Sequence, residues 1–165
     1  MNPLRLTVVG GPGRWARFYV LLPAATLAAT RTQGQIKLFL SRTDVSNHFV
    51  MLGEGAQFNS TDNSSASRID MQVIIIATGP QITADVWHEI QVYEWRDPVA
   101  RQGTVRVWYD GKFHSVATSP ALGDDDPTLV RGTQMGMVWT QLAGGYPIEV
   151  FVDDVTIANG YIDPP

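Results

Sequence analysis

The stretch Val105-Arg106-Val107-Trp108-Tyr109-Asp110-Gly111-Lys112-Phe113 constrains this chain more than any other. Side chains alternate in character up to Asp110-Gly111, and an extended run resumes after it. An Asp-Gly pair between two such runs marks a two-residue type I′ hairpin, because both turn residues need positive φ. Strand signals of the same kind (alternation, β-branched and aromatic residues, breaks at Gly, Pro, Asn and Asp) recur along the chain. They place strands at 4–9, 17–22, 35–41, 48–52, 69–77, 87–95, 104–109, 113–116, 134–141 and 148–157. Many short strands at this spacing predict an all-β sandwich or barrel. The Ala-rich stretch 23–30 is the one helical temptation. It is too short to stand alone and is expected as a loop or a single turn.

A length of 165 residues suits one domain with a substantial core, and no repeat or linker divides 1–165. With 44% hydrophobic and 17% charged residues the chain is globular. A net charge of -4 without any basic run argues against a nucleic-acid surface, which needs clustered Lys and Arg. The absence of cysteine excludes disulfides, thiolate catalysis and Cys-ligated zinc. No apolar run is long enough to span a bilayer, since 18–29 is broken by Pro23 and follows Arg14 and Arg17. The first residues read as a start without a secretion signal.

Two loops stand out. Residues 59–67 (NSTDNSSAS) read as a polar tip carrying two glycosylation sequons, with a plain solvated loop the favoured reading. Residues 123–127 (GDDDP) read as a solvated acidic turn that lacks the ligand spacing of a calcium loop. Met71, Met135, Met137 and Trp139 fall on alternate strand positions and read as packing.

Strand parity sorts side chains into two layers. Ile90 and Val92, Val105, Val107 and Tyr109, and Phe18, Val20 and Leu22 are expected inside. If their strands share a sheet, one outer face then carries Arg17, Tyr19, Glu89, Gln91, Tyr93, Trp95, Arg106 and Trp108. Flat aromatic rings with Arg, Gln and Glu suit a sugar. They suit a protein partner equally, and also ordinary cross-strand packing.

An ordered set of segments carries a resemblance. It consists of Trp87-His88-Glu89-Ile90-Gln91-Val92, then Gly103 to Lys112, then Ile148-Glu149-Val150-Phe151-Val152-Asp153-Asp154-Val155-Thr156-Ile157, with Arg17-Phe18-Tyr19-Val20 ahead of them. Over roughly residues 15–162 the chain resembles the concanavalin A-like lectin/glucanase superfamily, which includes laminin-G-like and polysaccharide-lyase-like members. The resemblance implies an antiparallel jelly-roll β-sandwich and says little of activity. It also places Asp153 or Asp154 where related glucanases can hold a structural calcium. The favoured reading of that pair is a β-bulge whose second Asp turns to solvent, with no cofactor. Little chain precedes Arg17, so a partner could complete a sheet edge.

The catalytic signatures of the group are missing. No Glu-x-Asp-x-Glu triplet occurs, and Glu89 and Glu94 are five apart on one strand and so point to opposite faces. No lyase motif is recognisable, and His88 reads as a satisfied strand-end histidine. No carboxylate or His cluster argues for a transition metal.

The sequence therefore predicts a non-enzymatic structural or binding protein. The leading expectation is a bacteriophage virion component (capsid decoration, head fibre or tail), with a homo-oligomer or other virion protein as partner and a glycan as a further ligand. That places it in the virion, assembled in the host cytoplasm. The alternatives are an extracellular lectin-like carbohydrate-binding module and, behind it, a polysaccharide lyase or glucanase-like enzyme.

Overall fold

A computed structural model describes residues 4–6, 13–42, 46–53, 57–64, 72–97, 102–119, 132–142 and 148–159. The strands are β1 (Leu4–Leu6), β2 (Gly13–Leu21), β3 (Gly34–Arg42), β4 (Ser46–Gly53), β5 (Gln57–Ser64), β6 (Gln72–Gln81), β7 (Trp87–Asp97), β8 (Gln102–Tyr109), β9 (Lys112–Ser119), β10 (Gly132–Leu142) and β11 (Phe151–Asn159). Among the described residues one helix, α1 (Ala24–Gln33), follows β2. The strands form a six-stranded sheet in the order β1-β10-β3-β4-β5-β6 and a five-stranded sheet in the order β11-β2-β7-β8-β9. Every pairing among the described residues is antiparallel. The molecule is a jelly-roll β-sandwich.

The core follows the expected parity. Phe18, Val20 and Leu22, Ile90 and Val92, and Val107 and Tyr109 are buried in one cluster with Leu38 of β3 and Leu27 of α1. Leu38 belongs to the six-stranded sheet, so the cluster is the layer shared by the two sheets. Burying an aliphatic or aromatic side chain of this size contributes about 1.5–3 kcal/mol. That is the main reason these strands hold one register, since a one-residue slip would turn each of them outward.

The hairpin forms as its residues require. Tyr109 pairs with Lys112, and the turn residues have φ of 50° at Asp110 and 70° at Gly111. A Cβ at Gly111 would meet nothing within 4 Å, so only backbone conformation opposes a side chain there. Gly111→Ala is expected to destabilise by about 1–2 kcal/mol in a denaturant titration. The Asp110 side chain ties the turn to β7. Its Oδ1 accepts the Glu89 N–H at 2.9 Å, while the Asp110 N–H donates to the Glu89 carbonyl at 3.0 Å. His88 Nδ1 lies 2.8 Å from Asp110 Oδ2, and the Thr83 N–H donates to His88 Nε2 at 3.2 Å. Both ring nitrogens are thus occupied, as expected of a strand-end histidine.

Two expectations are corrected. Residues 24–33 form a helix of ten residues rather than a loop or single turn. Tertiary contacts supply what its propensity lacks. Asp85, held at φ 58°, accepts the Ala24 N–H through Oδ1 at 3.2 Å and so caps the helix from another segment. Thr26, Leu27 and Ala29 are buried, and Thr26 Oγ1 both donates to the Glu149 carbonyl and accepts the Glu149 N–H. The second correction concerns the polar tip: its residues 59–64 belong to β5, paired with β4 on one side and β6 on the other. Backbone pairing with two neighbours outweighs the weak strand propensity of Asn, Ser and Asp. The rest of that loop, the 123–127 turn and Met71 lie outside the described residues. No helix among the described residues is long and apolar enough to cross a membrane.

Candidate functional site

The outer face of the five-stranded sheet gathers the residues that parity selected. Strand β2 lies between β11 and β7, and the register sets side chains in rows across the sheet. One row runs Phe151, Leu21, Trp87, and the next runs Asp153, Tyr19, Glu89. The third runs Thr156, Arg17, Gln91, Trp108, Phe113. The fourth runs Ala158, Trp15, Tyr93, Arg106. Trp95 ends the face opposite Gly13. All eight predicted residues therefore share one face. Glu94 pairs with Arg14 on the opposite side of the strand, as its spacing from Glu89 required.

The face differs from expectation in its burial. Gln91 is fully buried, Trp108 is 6% exposed and Glu89 is also buried, whereas Trp95 is 36% exposed and Arg106 is open. A large neighbour packs against one of the central positions. The ring of Phe113 meets Trp108 edge-on at 5.5 Å, with a 61° angle between the planes. Gly13 has room for no more than a hydrogen, since a Cβ there would stand 2.9 Å from the Tyr93 hydroxyl and 3.3 Å from Trp95 Cδ1. That absence lets both aromatic rings lie across the start of β2.

A hydrogen-bonded group occupies the centre. Tyr19 donates its hydroxyl to Glu89 Oε2 at 2.8 Å, and Gln91 Nε2 donates to Glu89 Oε1 at 2.5 Å. These bonds fix the orientation of the Gln91 amide and occupy both oxygens of the carboxylate. Accepting the hydrogen bond and carrying negative charge, Glu89 holds the Tyr19 phenol above its ordinary pKa, and partial burial adds to this. The phenol is thus a persistent donor and not a phenolate base. Burial alone pushes the Tyr109 hydroxyl up on the core side.

Arg17 links this group to the edge strand. Its guanidinium pairs with Asp154 Oδ2 at 3.3 Å and stands 5.9 Å from the centre of the Trp15 ring. Asp154 reaches it because β11 bulges. Asp153 is opposite Tyr19 but Thr156 is opposite Arg17, so one residue is inserted. Asp154 sits in the bulge at φ 46°, and Asp153 Oδ1 accepts its N–H at 2.8 Å. The bulge expected at this pair is present. Its second carboxylate is 59% exposed, yet it is turned toward Arg17 rather than only toward solvent. Among the described residues no three His, Asp or Glu side chains lie together as a metal would need.

Among the described residues, three buried polar atoms on this face have no hydrogen-bond partner: Trp15 Nε1, Arg17 Nε and Gln91 Oε1. Arg17 and Gln91 are direct cross-strand partners, and Trp15 is two residues from Arg17 on the same face. Sequence reasoning missed Trp15 because it began the strand at Arg17. Extending the alternation back through Ala16 and Arg14 to Gly13 would have found it.

No protein-family model and no curated protein sequence matches this chain. Solved structures do. A heptameric SAP-like pentraxin from Limulus polyphemus matches with a TM-score of 0.57 and 13% identity, over 94% of this chain and 69% of that one. Sheep galectin-11, in a complex with glycerol, matches at 0.59 and 9% identity over 96% of this chain and 98% of its own. An alginate lyase from Chlorella virus matches at 0.59 and 10% identity over 92% and 73%. The chain also spans about a third (35%) of a botulinum neurotoxin serotype D binding domain, at 0.56 and 8% identity. Identities this low carry the fold and not the chemistry. With its two antiparallel sheets, shared core and hairpin in place, this chain has the concanavalin A-like jelly-roll fold.

Proposed function

We propose that this protein is a non-enzymatic binding protein whose ligand is a carbohydrate, seated on the outer face of the five-stranded sheet around Trp15, Arg17 and Gln91. The observation that carries the reading is the trio of buried, unpartnered polar atoms on neighbouring positions. A buried donor or acceptor without a partner costs about 1–3 kcal/mol, so three together mark a place completed by something from outside the chain. Two N–H donors and one carbonyl acceptor suit hydroxyl groups, which both accept and donate. The exposed ring of Trp95 and the half-buried ring of Tyr93 border the same patch and offer flat faces for stacking. Arg17 keeps 25% of its side chain in solvent, so the ligand approaches past the guanidinium.

Two further features support binding without turnover. Glu89 and Glu94 lie on opposite faces, so they do not form an acid and nucleophile pair. Tyr19 stays protonated on Glu89. The glycerol in the galectin complex is itself a small polyol. The virion role expected from the sequence draws no support from the structures named above.

The test is a glycan array followed by calorimetry on the best binder. Gln91→Leu removes the acceptor and Trp15→Phe removes the indole N–H. Each is expected to weaken binding at least about tenfold, the loss of roughly one hydrogen bond to a buried partner. Circular dichroism identifies the variants that remain folded. Unchanged affinity in both folded variants would remove the site.

A further inference from the structure

We infer that the ligand of this face is an uncharged sugar, and that Asp154 in the β11 bulge sets this preference by neutralising Arg17. The inference rests on the binding reading above and assigns the ligand class of the same site.

The charged groups at the centre of the patch are already engaged. Arg17 is paired with Asp154 at 3.3 Å. Both oxygens of Glu89 take hydrogen bonds, from Tyr19 and from Gln91. What remains buried without a hydrogen-bond partner at the centre is an indole N–H, the Nε of an already paired guanidinium, and an amide oxygen. The amide oxygen decides between ligand classes. Because Gln91 Nε2 is committed to Glu89, Oε1 cannot be exchanged for a donor without breaking that bond. An anionic oxygen placed against Oε1 has no proton to share with it. A carboxylate, sulfate or phosphate would also bring negative charge beside Glu89 and Asp154, with the nearby cation spent. A hydroxyl meets no such opposition: it donates to Gln91 Oε1 and accepts from Trp15 or Arg17. Arg106 stands exposed in the row of Trp15, two strands across from it on β8, where solvent and salt screen its charge.

The bulge is what brings Asp154 to this face. In a regular strand the residue after Asp153 would point to the core, as Val152 does on the other side of it. The inserted residue breaks that alternation. Val155 then packs on the core, Thr156 is opposite Arg17, and Asp154 is left to swing over the guanidinium. Asp154 at φ 46° occupies the sparsely populated left-handed region, which Asp tolerates better than most residues. Bulges next to binding sites commonly re-aim a side chain in this way.

The experiment uses the full chain on an array holding neutral oligosaccharides of galactose, glucose and mannose beside polyuronate, sialylated and sulfated ones. The wild type is expected to bind among the neutral set. Asp154→Asn and Asp154→Gly both remove the carboxylate and both tolerate the left-handed backbone, so each keeps the bulge. In each, the ratio of acidic to neutral binding is expected to rise about tenfold, the scale of one charge-assisted hydrogen bond. The gained acidic binding should fall with added salt, which a merely structural change would not produce. A wild type that prefers acidic glycans, or a ratio unmoved in both variants, would overturn the charge assignment and leave the binding reading standing. No binding to any glycan would end both.

Discussion

Gln91→Glu exchanges a single NH2 for an oxygen and is expected to destabilise this protein by about 3–5 kcal/mol at neutral pH. Gln91 is fully buried and donates to Glu89. The variant loses the donor and sets a second carboxylate against the first, where neither can be fully hydrated. A domain of this size is stable by about 5–15 kcal/mol, so the change removes a large part of the total. The penalty should depend on pH with a definite sign. Burial and the neighbouring charge raise the pKa of the introduced carboxyl in the folded state. An acid with a raised folded pKa is best tolerated below its unfolded pKa, near 4.3, and the penalty grows as pH rises through the folded value. Urea titrations at pH 4 and pH 7 should therefore show the variant closer to wild type at the lower pH. Equal midpoints for variant and wild type at pH 7 would show that Gln91 is not enclosed as described. Gln91→Leu is the control. It loses the bond to Glu89 but also removes the unpartnered Oε1, and is expected within about 1–2 kcal/mol of wild type.

Trp108→Ala carries the second large effect. The ring is 6% exposed, lies opposite Gln91 and meets Phe113 at its edge. Its removal is expected to cost about 3–5 kcal/mol through lost burial and the cavity left behind. At about 2–4 °C per kcal/mol for a chain of this size, the melting temperature should fall by roughly 10 °C. Parity alone makes Trp108 a ligand contact, and that reading predicts lost binding with unchanged melting. Burial makes it a support, so binding measured well below the melting transition should survive in part. Trp95→Ala is the contrasting case. Its ring is 36% exposed, and its loss should cost under about 1 kcal/mol while weakening the ligand. Scanning calorimetry on the two variants separates these roles.

The legible parts of the molecule are those governed by local rules. The turn at Asp110-Gly111 needed only two residues that tolerate positive φ. Alternation along β2, β7 and β8 sorted core from outer face, because period 2 is a property of the strand itself. The illegible parts depend on distant partners. Helix α1 is fixed by a carboxylate from Asp85 and by packing of Leu27, neither of which its own composition announces. Strand β5 is polar and is a strand because β4 and β6 flank it. Parity gave the direction of Glu89, Gln91 and Trp108 but not their burial, since depth depends on which bulky neighbours lie across them. The reach of Asp154 to Arg17 was equally hidden: a bulge could be foreseen, but not the side chain it would meet.

The placement of β2 between β11 and β7 has a kinetic consequence. Tyr19 and Glu89 are separated by 70 positions in the chain, and Arg17 and Asp154 by 137. Each such contact closes a long loop before any of its favourable energy is returned, which slows folding into the millisecond-to-second range typical of sandwiches. A fragment that ends before Asp154 lacks the carboxylate that pairs with Arg17, so it does not contain the complete patch. Its formation therefore reports completion of the whole five-stranded sheet, and recovery of ligand binding after dilution from denaturant should lag the earliest compact species and coincide with the last phase of refolding.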